Sequence, residues 1–200
     1  KLRAIQPHII INNRSKLAED FGTPEGHITA ETRDWEACMT FNDISWGYVD
    51  SAQARPYSYN GQRIVRMLHK CTEGGGNLLL NIGPAPDGSV PQEAVEPLET
   101  VGRWLNTYGD AVYGVRMNPN PKRNIVNGVC GLSYDKNRLF LWNWIWPTGG
   151  TMSLGGITAP VKQITYLDSG EPIPFTQTGH RVVLNQLKRQ SPDSILGIGV

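Results

Sequence analysis

The stretch GGGNLLLNIGP, residues 74–84, decides how the chain is read. Its glycines tempt a phosphate-loop reading. However, no Gly-Lys-Ser/Thr follows, and the glycines precede a strand-like run rather than a helix. They read instead as the stop of one helix and the entry to a buried strand over 77–83. Upstream, GQRIVRMLHKC (61–71) sets Ile64, Met67, Leu68 and Cys71 at i, i+3, i+4 and i+7, one face of an amphipathic helix. Downstream, DGSVPQEAVEPLETVGRWLNTYG (87–109) reads as a second helix. Ser89 is its expected cap and Pro91 fits its first turn. Val95, Leu98, Val101 and Leu105 are its expected core face, and Gly109 stops it.

Nearer the N-terminus, HIIINN (8–13) is a continuous β-branched run, the pattern of a strand buried on both faces, and WEACMT (35–40) is a weaker strand. Strands alternating with helices predict an α/β arrangement on a parallel sheet. Strands 8–13, 35–40 and 77–83 are too few for a barrel and suit one part of one.

After Val115 the pattern changes. RMNPNPKRN precedes strand-like pieces only, separated by Gly, Pro and Asp turns. GVCGLSYDKNRLFLWNWIW (128–146) reads as a hairpin about DKN, and TMSLGGI, VKQITYLD, RVVLNQL and SILGIGV complete a small antiparallel sandwich. The domain boundary is expected at 116–124, where Pro and Asn cluster. The period of two places Phe140, Trp142, Trp144 and Trp146 on one side of a strand, suited either to sugar stacking or to packing between the halves.

Bulk composition is that of a globular chain. Of 200 residues, 18% are charged and 39% hydrophobic, and the net charge is +1. No basic stripe suggests nucleic acid or a membrane surface, and no apolar run suggests a membrane span. The chain begins KLRAIQP without Met, so the N-terminus is expected to be a cut. Cys38, Cys71 and Cys130 are widely spaced, without CxxC, and are expected to be buried thiols. His8, His27, His69 and His180 are scattered, and neither a metal nor another cofactor is expected.

Two carboxylates lie near the strand ends. Glu25, in GTPEGH (22–27), sits in a loop between Pro24 and Gly26, and Glu36 lies inside its strand. Glycoside hydrolysis needs a carboxyl pair, with the acid's pKa raised by burial beside aromatics such as Trp35 and Trp46. A solvated Glu25 and a salt-bridged Glu36 are the competing readings. Arg14 closes INNR at a strand end, a place for either ligand contact or simple solvation.

In this order, IIINNR, DFGTPEGHI, WEACMTFNDISWGY, GGGNLLLNIGPAPDGSVP and GRWLNTYGDAVYG resemble the α-L-fucosidases of glycoside hydrolase family 29. The resemblance runs from about residue 8 to 116, and 117–200 fits the family's β-sandwich by layout. It implies the C-terminal part of a (β/α)8-like catalytic domain over 1–116, incomplete in this chain, followed by a β-sandwich domain over 117–200. It implies retaining release of terminal L-fucose from glycans through a covalent fucosyl-enzyme. Arg14 would hydrogen-bond the fucose, Trp46 would sit against its apolar side, and Glu25 would be the general acid/base, with Glu36 in reserve. The family's nucleophile is an aspartate on an earlier strand, and no residue here matches it. The chain is therefore expected to be a piece of the enzyme, inactive alone. A periplasmic, secreted or lysosomal setting is implied by the resemblance only. The alternative is a non-catalytic carbohydrate-binding module built on the aromatic strand 140–146.

Overall fold

A computed structural model of the chain describes residues 1–17, 19–50, 52, 59–116, 130–135, 137–188 and 195–199. One helical turn, α1 (Leu2–Ile5), opens it. The first regular unit is β1 (Glu36–Thr40), α2 (Gly61–Glu73) and β2 (Asn77–Asn81), with β1 and β2 paired in parallel from Glu36↔Asn77 to Thr40↔Asn81.

The expected face of α2 is the observed one. Ile64, Met67 and Cys71 are buried, with Leu68 packed against the same core. Asn60 caps the helix by accepting from the Arg63 N–H at 2.8 Å. The triple glycine ends it in a Schellman motif. Gly75 takes φ +69°, and the Gly76 N–H reaches the Cys71 carbonyl at 2.8 Å. Trp35 packs against this glycine surface and donates to the Gly74 carbonyl at 3.1 Å. A Cβ at Gly76 would run into its indole ring.

The run HIIINN does not form the expected strand. Asn12 makes a single parallel bridge to Phe21, and Ile10 is 73% exposed. The backbone of Ile11 is taken up locally. Its N–H donates to the Asp20 carboxylate at 2.8 Å and its carbonyl accepts from the Asp20 N–H at 2.9 Å. These bonds close a loop in place of a ladder, and local pairing overrides β propensity.

The segment 21–25 lies between Asn12 and β1. It bridges in parallel to Trp35, just before β1, from Gly22, and to Cys38 within β1 from Glu25. The parallel sheet therefore runs from Asn12 through 21–25 and β1 to β2. Its faces differ. Ala37, Met39, Leu78 and Leu80 pack toward the helices. Cys38, Thr40, Leu79 and Asn81 fall on the opposite face by the strand period. Leu79 is 38% exposed there, so within these residues β2 is covered on its helix-facing side and open on the other.

Helix α3 (Gln92–Tyr108) starts later than expected. Pro91 occupies the cap position itself, and Ser89 instead donates its hydroxyl to Asp87 at 2.6 Å. Ala94, Val101 and Tyr108 form the buried line, with Leu105 packed against the core. Leu98 turns outward at 37% exposure, because the face is centred on Ala94 rather than Val95. Gly109 ends the helix as expected.

The second half is an antiparallel sandwich. Its strands are β3 (Cys130–Asp135), β4 (Arg138–Asn143), β5 (Met152–Leu154), β6 (Gln163–Tyr166), β7 (Phe175–Thr178), β8 (Arg181–Leu184) and β9 (Ile195–Gly199). One sheet has the order β3-β4-β9-β6 and the other β5-β8-β7. Leu141, Met152, Leu154, Ile164, Val182 and Leu184 fill the space between them.

Strand β4 joins the halves. Leu141 points into the sandwich core, while Phe140 and Trp142 enter the core built on α2 and α3. Trp142 stacks on His69 at 4.9 Å and meets Trp104 at 5.5 Å. The strand ends at Asn143, so Trp146 leaves the expected row and packs on Tyr166 at 6.3 Å. Phe140 and Trp142 are 0% and 1% exposed, so these two rings pack the protein and offer no face to a sugar, while Trp144 and Trp146 are half-buried. From residue 117 on, the expected boundary at 116–124 falls outside the described residues.

Candidate active site

The open face of the sheet and the turn after β1 bring together the expected residues Arg14, Glu25 and Trp46. Arg14 lies in a 3-10 turn, Asn13–Ser15, that Asn12 caps by accepting from the Arg14 N–H at 3.1 Å. Asn13 Oδ1 accepts from both the N–H and the hydroxyl of buried Thr23, at 3.1 and 2.8 Å. This ties the arginine turn to the strand segment that carries Glu25.

Glu25 is part of the sheet rather than a free loop residue. The Cys38 N–H donates to the Pro24 carbonyl at 2.8 Å and the Gly26 N–H to the Cys38 carbonyl at 3.0 Å. His27 Nδ1 lies 2.9 Å from the Glu25 carbonyl. Gly26, at φ +73°, then turns the chain away.

The two carboxylate oxygens of Glu25 have separate donors. Arg14 Nη1 donates to Oε2, and Trp46 Nε1 donates to Oε1 at 2.7 Å. The Arg14 guanidinium, first, and the indole N–H, second, hold the carboxyl below its ordinary range. Reciprocally, Glu25, and after it Cys38, raise the arginine. The expected acid was buried and shifted upward. Instead the Glu25 side chain is 40% exposed and is shifted downward. Trp35 does not desolvate it, because its ring is buried against Gly74 and Gly76. Trp46 acts on it as a donor.

Trp46 is set by a braced turn. Asn42, 3% exposed, accepts from the N–H groups of Ile44 and Ser45 at 2.9 and 2.8 Å. The Thr40 hydroxyl donates to the Ser45 carbonyl at 2.6 Å. Asn81, at the end of β2, donates to the Trp46 carbonyl at 2.9 Å. Sequence reading missed Asn42 and Asn81. The polar residues that end the apolar runs of β1 and β2 were their only signal.

Glu36 lies elsewhere. It begins β1 opposite Asn77, whereas Glu25 pairs with Cys38 further along the strand. It lines a separate open cleft of about 460 Å³ with Asp20, Asp34 and Trp35. Neither Arg14 nor Trp46 lines that cleft.

A carboxylate flanked by a guanidinium and an indole N–H, with solvent access, can exchange a proton with a ligand. The sequence profile of the family described as Alpha-L-fucosidase matches residues 2–110. The chain is 33% identical over 159 residues to human plasma alpha-L-fucosidase, covering 76% of this chain and 34% of that protein. It therefore spans about a third of that relative's length. Alpha-L-fucosidase isoenzyme 1 from Paenibacillus thiaminolyticus superposes with a TM-score of 0.80 at 27% identity, over 99% of this chain and 51% of that one. Thermotoga maritima alpha-fucosidase, in complex with a mechanism-based inhibitor, superposes with a TM-score of 0.81 at 25% identity, over 99% of this chain and 47% of that one. With a family profile covering more than half of its residues and a fold shared along nearly all of them, the chain belongs to the alpha-L-fucosidase family.

Proposed function

We propose that these residues supply the acid/base half of a retaining α-L-fucosidase active site that releases terminal L-fucose from fucosylated glycans. On this reading, residues 1–116 belong to the catalytic (β/α)8-like domain and 117–200 form its β-sandwich partner. The observation that supports it is the convergence of Arg14 and Trp46 on the Glu25 carboxylate.

Glu25 gives its proton to the glycosidic oxygen as the aglycone leaves. A nucleophilic aspartate, from a segment outside these 200 residues, bonds to the anomeric carbon. Glu25 then takes a proton from the water that hydrolyses the fucosyl-enzyme and is ready to act as an acid again. Retaining enzymes hold their two carboxyls about 5 Å apart. The nucleophile would therefore approach the open face that carries Cys38, Leu79 and Asn81.

An ion-paired Glu25 is suited to the base step and unsuited to the acid step. Sugar hydroxyls that draw Arg14 away, together with excluded water, remove the largest cause of its low pKa, and the carboxyl then keeps its proton. Trp46, 41% exposed, offers its ring to the apolar side of the sugar.

The test is stereochemical. The full-length enzyme carrying these residues should hydrolyse an aryl α-L-fucoside with α-L-fucose appearing first by proton NMR. Initial appearance of the β anomer overturns the retaining reading.

A further inference from the structure

Arg14, Glu25 and Trp46 leave one feature beside the site unexplained. Asp43, three residues before Trp46, has φ +58° and so occupies the left-handed region. Its carboxylate reaches out of the turn to the start of α2. Oδ1 accepts from the Tyr59 hydroxyl at 2.6 Å, and Oδ2 accepts from Arg63 Nη2 at 3.0 Å. The Arg63 guanidinium lies over the Tyr59 ring, 3.9 Å from its centroid. Tyr59 is 2% exposed and packs on Phe41 at 5.4 Å, so the anchor is fixed in the core. Asn60, the next residue, caps α2.

These contacts form a continuous line. Core packing fixes Tyr59, Tyr59 and Arg63 fix Asp43, and Asp43 sets the direction in which the turn leaves β1. Asn42 and Thr40 close that turn over Ile44 and Ser45. Trp46 then emerges with its carbonyl on Asn81 and its indole N–H on Glu25.

We propose that Asp43 is a positioning residue for the acid/base, holding the Trp46 indole N–H on Glu25 through its tether to Tyr59 and Arg63. It touches no reacting atom. The proposal rests on the reading of Glu25 as the acid/base and adds the device that orients it. The bonds explain why an acidic residue occupies a left-handed position. Glycine or asparagine would satisfy the backbone, but glycine would not reach α2.

Substitutions at two points of the tether separate this from a general role in folding. Asp43→Gly keeps the left-handed backbone without strain and removes the bonds to Tyr59 and Arg63. Tyr59→Phe removes one hydroxyl from the other end. Asp43→Asn keeps an acceptor and tolerates the same φ. In the full-length enzyme, Asp43→Gly should lower kcat/KM by on the order of ten- to a hundredfold, with Tyr59→Phe changing it in the same direction. Asp43→Asn should recover most of the loss.

A purely structural role would not produce the pH signature. Arg14, His27 and Cys38 surround Glu25 and are untouched by these substitutions. Freeing the indole removes one of the two donors that favour the carboxylate, so the alkaline limb of kcat/KM should move to higher pH in Asp43→Gly, as in Trp46→Phe. The Trp46 indole N–H resonance, assigned by its loss in Trp46→Phe, should shift in Asp43→Gly and stay near its original position in Asp43→Asn. A limb that moves in Trp46→Phe but not in Asp43→Gly, with an unshifted indole resonance, overturns the positioning role alone. Unmoved limbs in both overturn the acid/base reading and this proposal with it.

Discussion

The indole N–H of Trp46 donates to Glu25 Oε1 across 2.7 Å, joining residues from two strand ends that lie 21 positions apart. Arg14 holds the other oxygen. The carboxylate thus has both oxygens occupied by donors before any sugar arrives. A site arranged this way favours the ionised form until a ligand competes for its donors. On the proposed reading, Arg14 is the donor that a sugar hydroxyl draws off, and its 49% exposed side chain leaves it accessible.

Replacing Arg14 separates the two roles proposed for it. Arg14→Met should raise KM about tenfold or more, through lost charge-assisted hydrogen bonds to the sugar. It should also move the alkaline limb of kcat/KM upward, because the largest cause of Glu25's lowered pKa is gone. The stability effect has a defined sign. The folded Glu25 pKa lies below its ordinary 4.5, so the pair contributes above that pH and its contribution is lost as pH falls through the folded value. Both groups are exposed, so the difference in Tm between wild type and Arg14→Met should be small at pH 7 and should shrink as pH falls below 4.5. A KM change without a limb shift would remove the coupling to Glu25.

His69 predicts a separate acid sensitivity at the joint between the halves. It is 7% exposed, stacked on Trp142, and its Nε2 has no hydrogen-bond partner among the described residues. Burial, with Lys70 adding to it, pushes its pKa down to about 4. Glu73 lies 3.9 Å away, but burial raises that carboxyl and leaves it a weak counter-ion. Arg66, over the Trp144 ring, adds a further positive charge nearby. The unfolded chain therefore binds a proton that the folded one refuses between pH 6.5 and about 4. Stability is full above that window and falls within it, by on the order of 3 kcal/mol at most. Denaturant titrations of His69→Phe should show a flatter dependence across this range. Parallel curves for the two proteins would contradict the assignment.

Two glycines should respond in opposite ways. A Cβ at Gly83 would run into the backbone of Gly47, next to Trp46. Gly83→Ala must displace that turn and should cost about 1–3 kcal/mol of stability and roughly tenfold or more in kcat/KM. Gly102 lies within α3 with no atom of the described residues within 4 Å of its would-be Cβ. Gly102→Ala should raise stability by about 0.5–1 kcal/mol and leave kcat/KM unchanged. Thermal denaturation and steady-state rates on the full-length variants check both.

The parts that could be read from sequence were those in which local pattern and packing agree. Ile64, Met67, Leu68 and Cys71 marked the α2 face because a helix repeats its contacts at that spacing. The glycines at 74–76 marked its end because the Schellman geometry needs a positive φ. HIIINN misled because a β-branched run carries no sign of a distant carboxylate, here Asp20, taking its backbone N–H. The α3 face was misjudged by one position because Ala94 and Val95 are adjacent apolar residues and only the partner surface chooses between them. Within the site, the resemblance named Arg14, Glu25 and Trp46, but spacing could not say which atoms meet. The chemistry of glycoside hydrolysis suggested a raised acid where two donors lower it. Asp43 and Asn81 were missed because their partners, Tyr59 and the Trp46 carbonyl, are distant in sequence.

The central claim is that Glu25, rather than Glu36, carries the proton. It is tested by the rates of full-length Glu25→Ala and Glu36→Ala on aryl α-L-fucosides of graded leaving-group acidity, with and without azide. Glu25→Ala should lose on the order of a hundredfold or more on poor leaving groups, lose much less on activated ones, and regain turnover with azide as a fucosyl azide forms. Glu36→Ala should show neither pattern. Azide rescue in Glu36→Ala, with none in Glu25→Ala, would contradict the account.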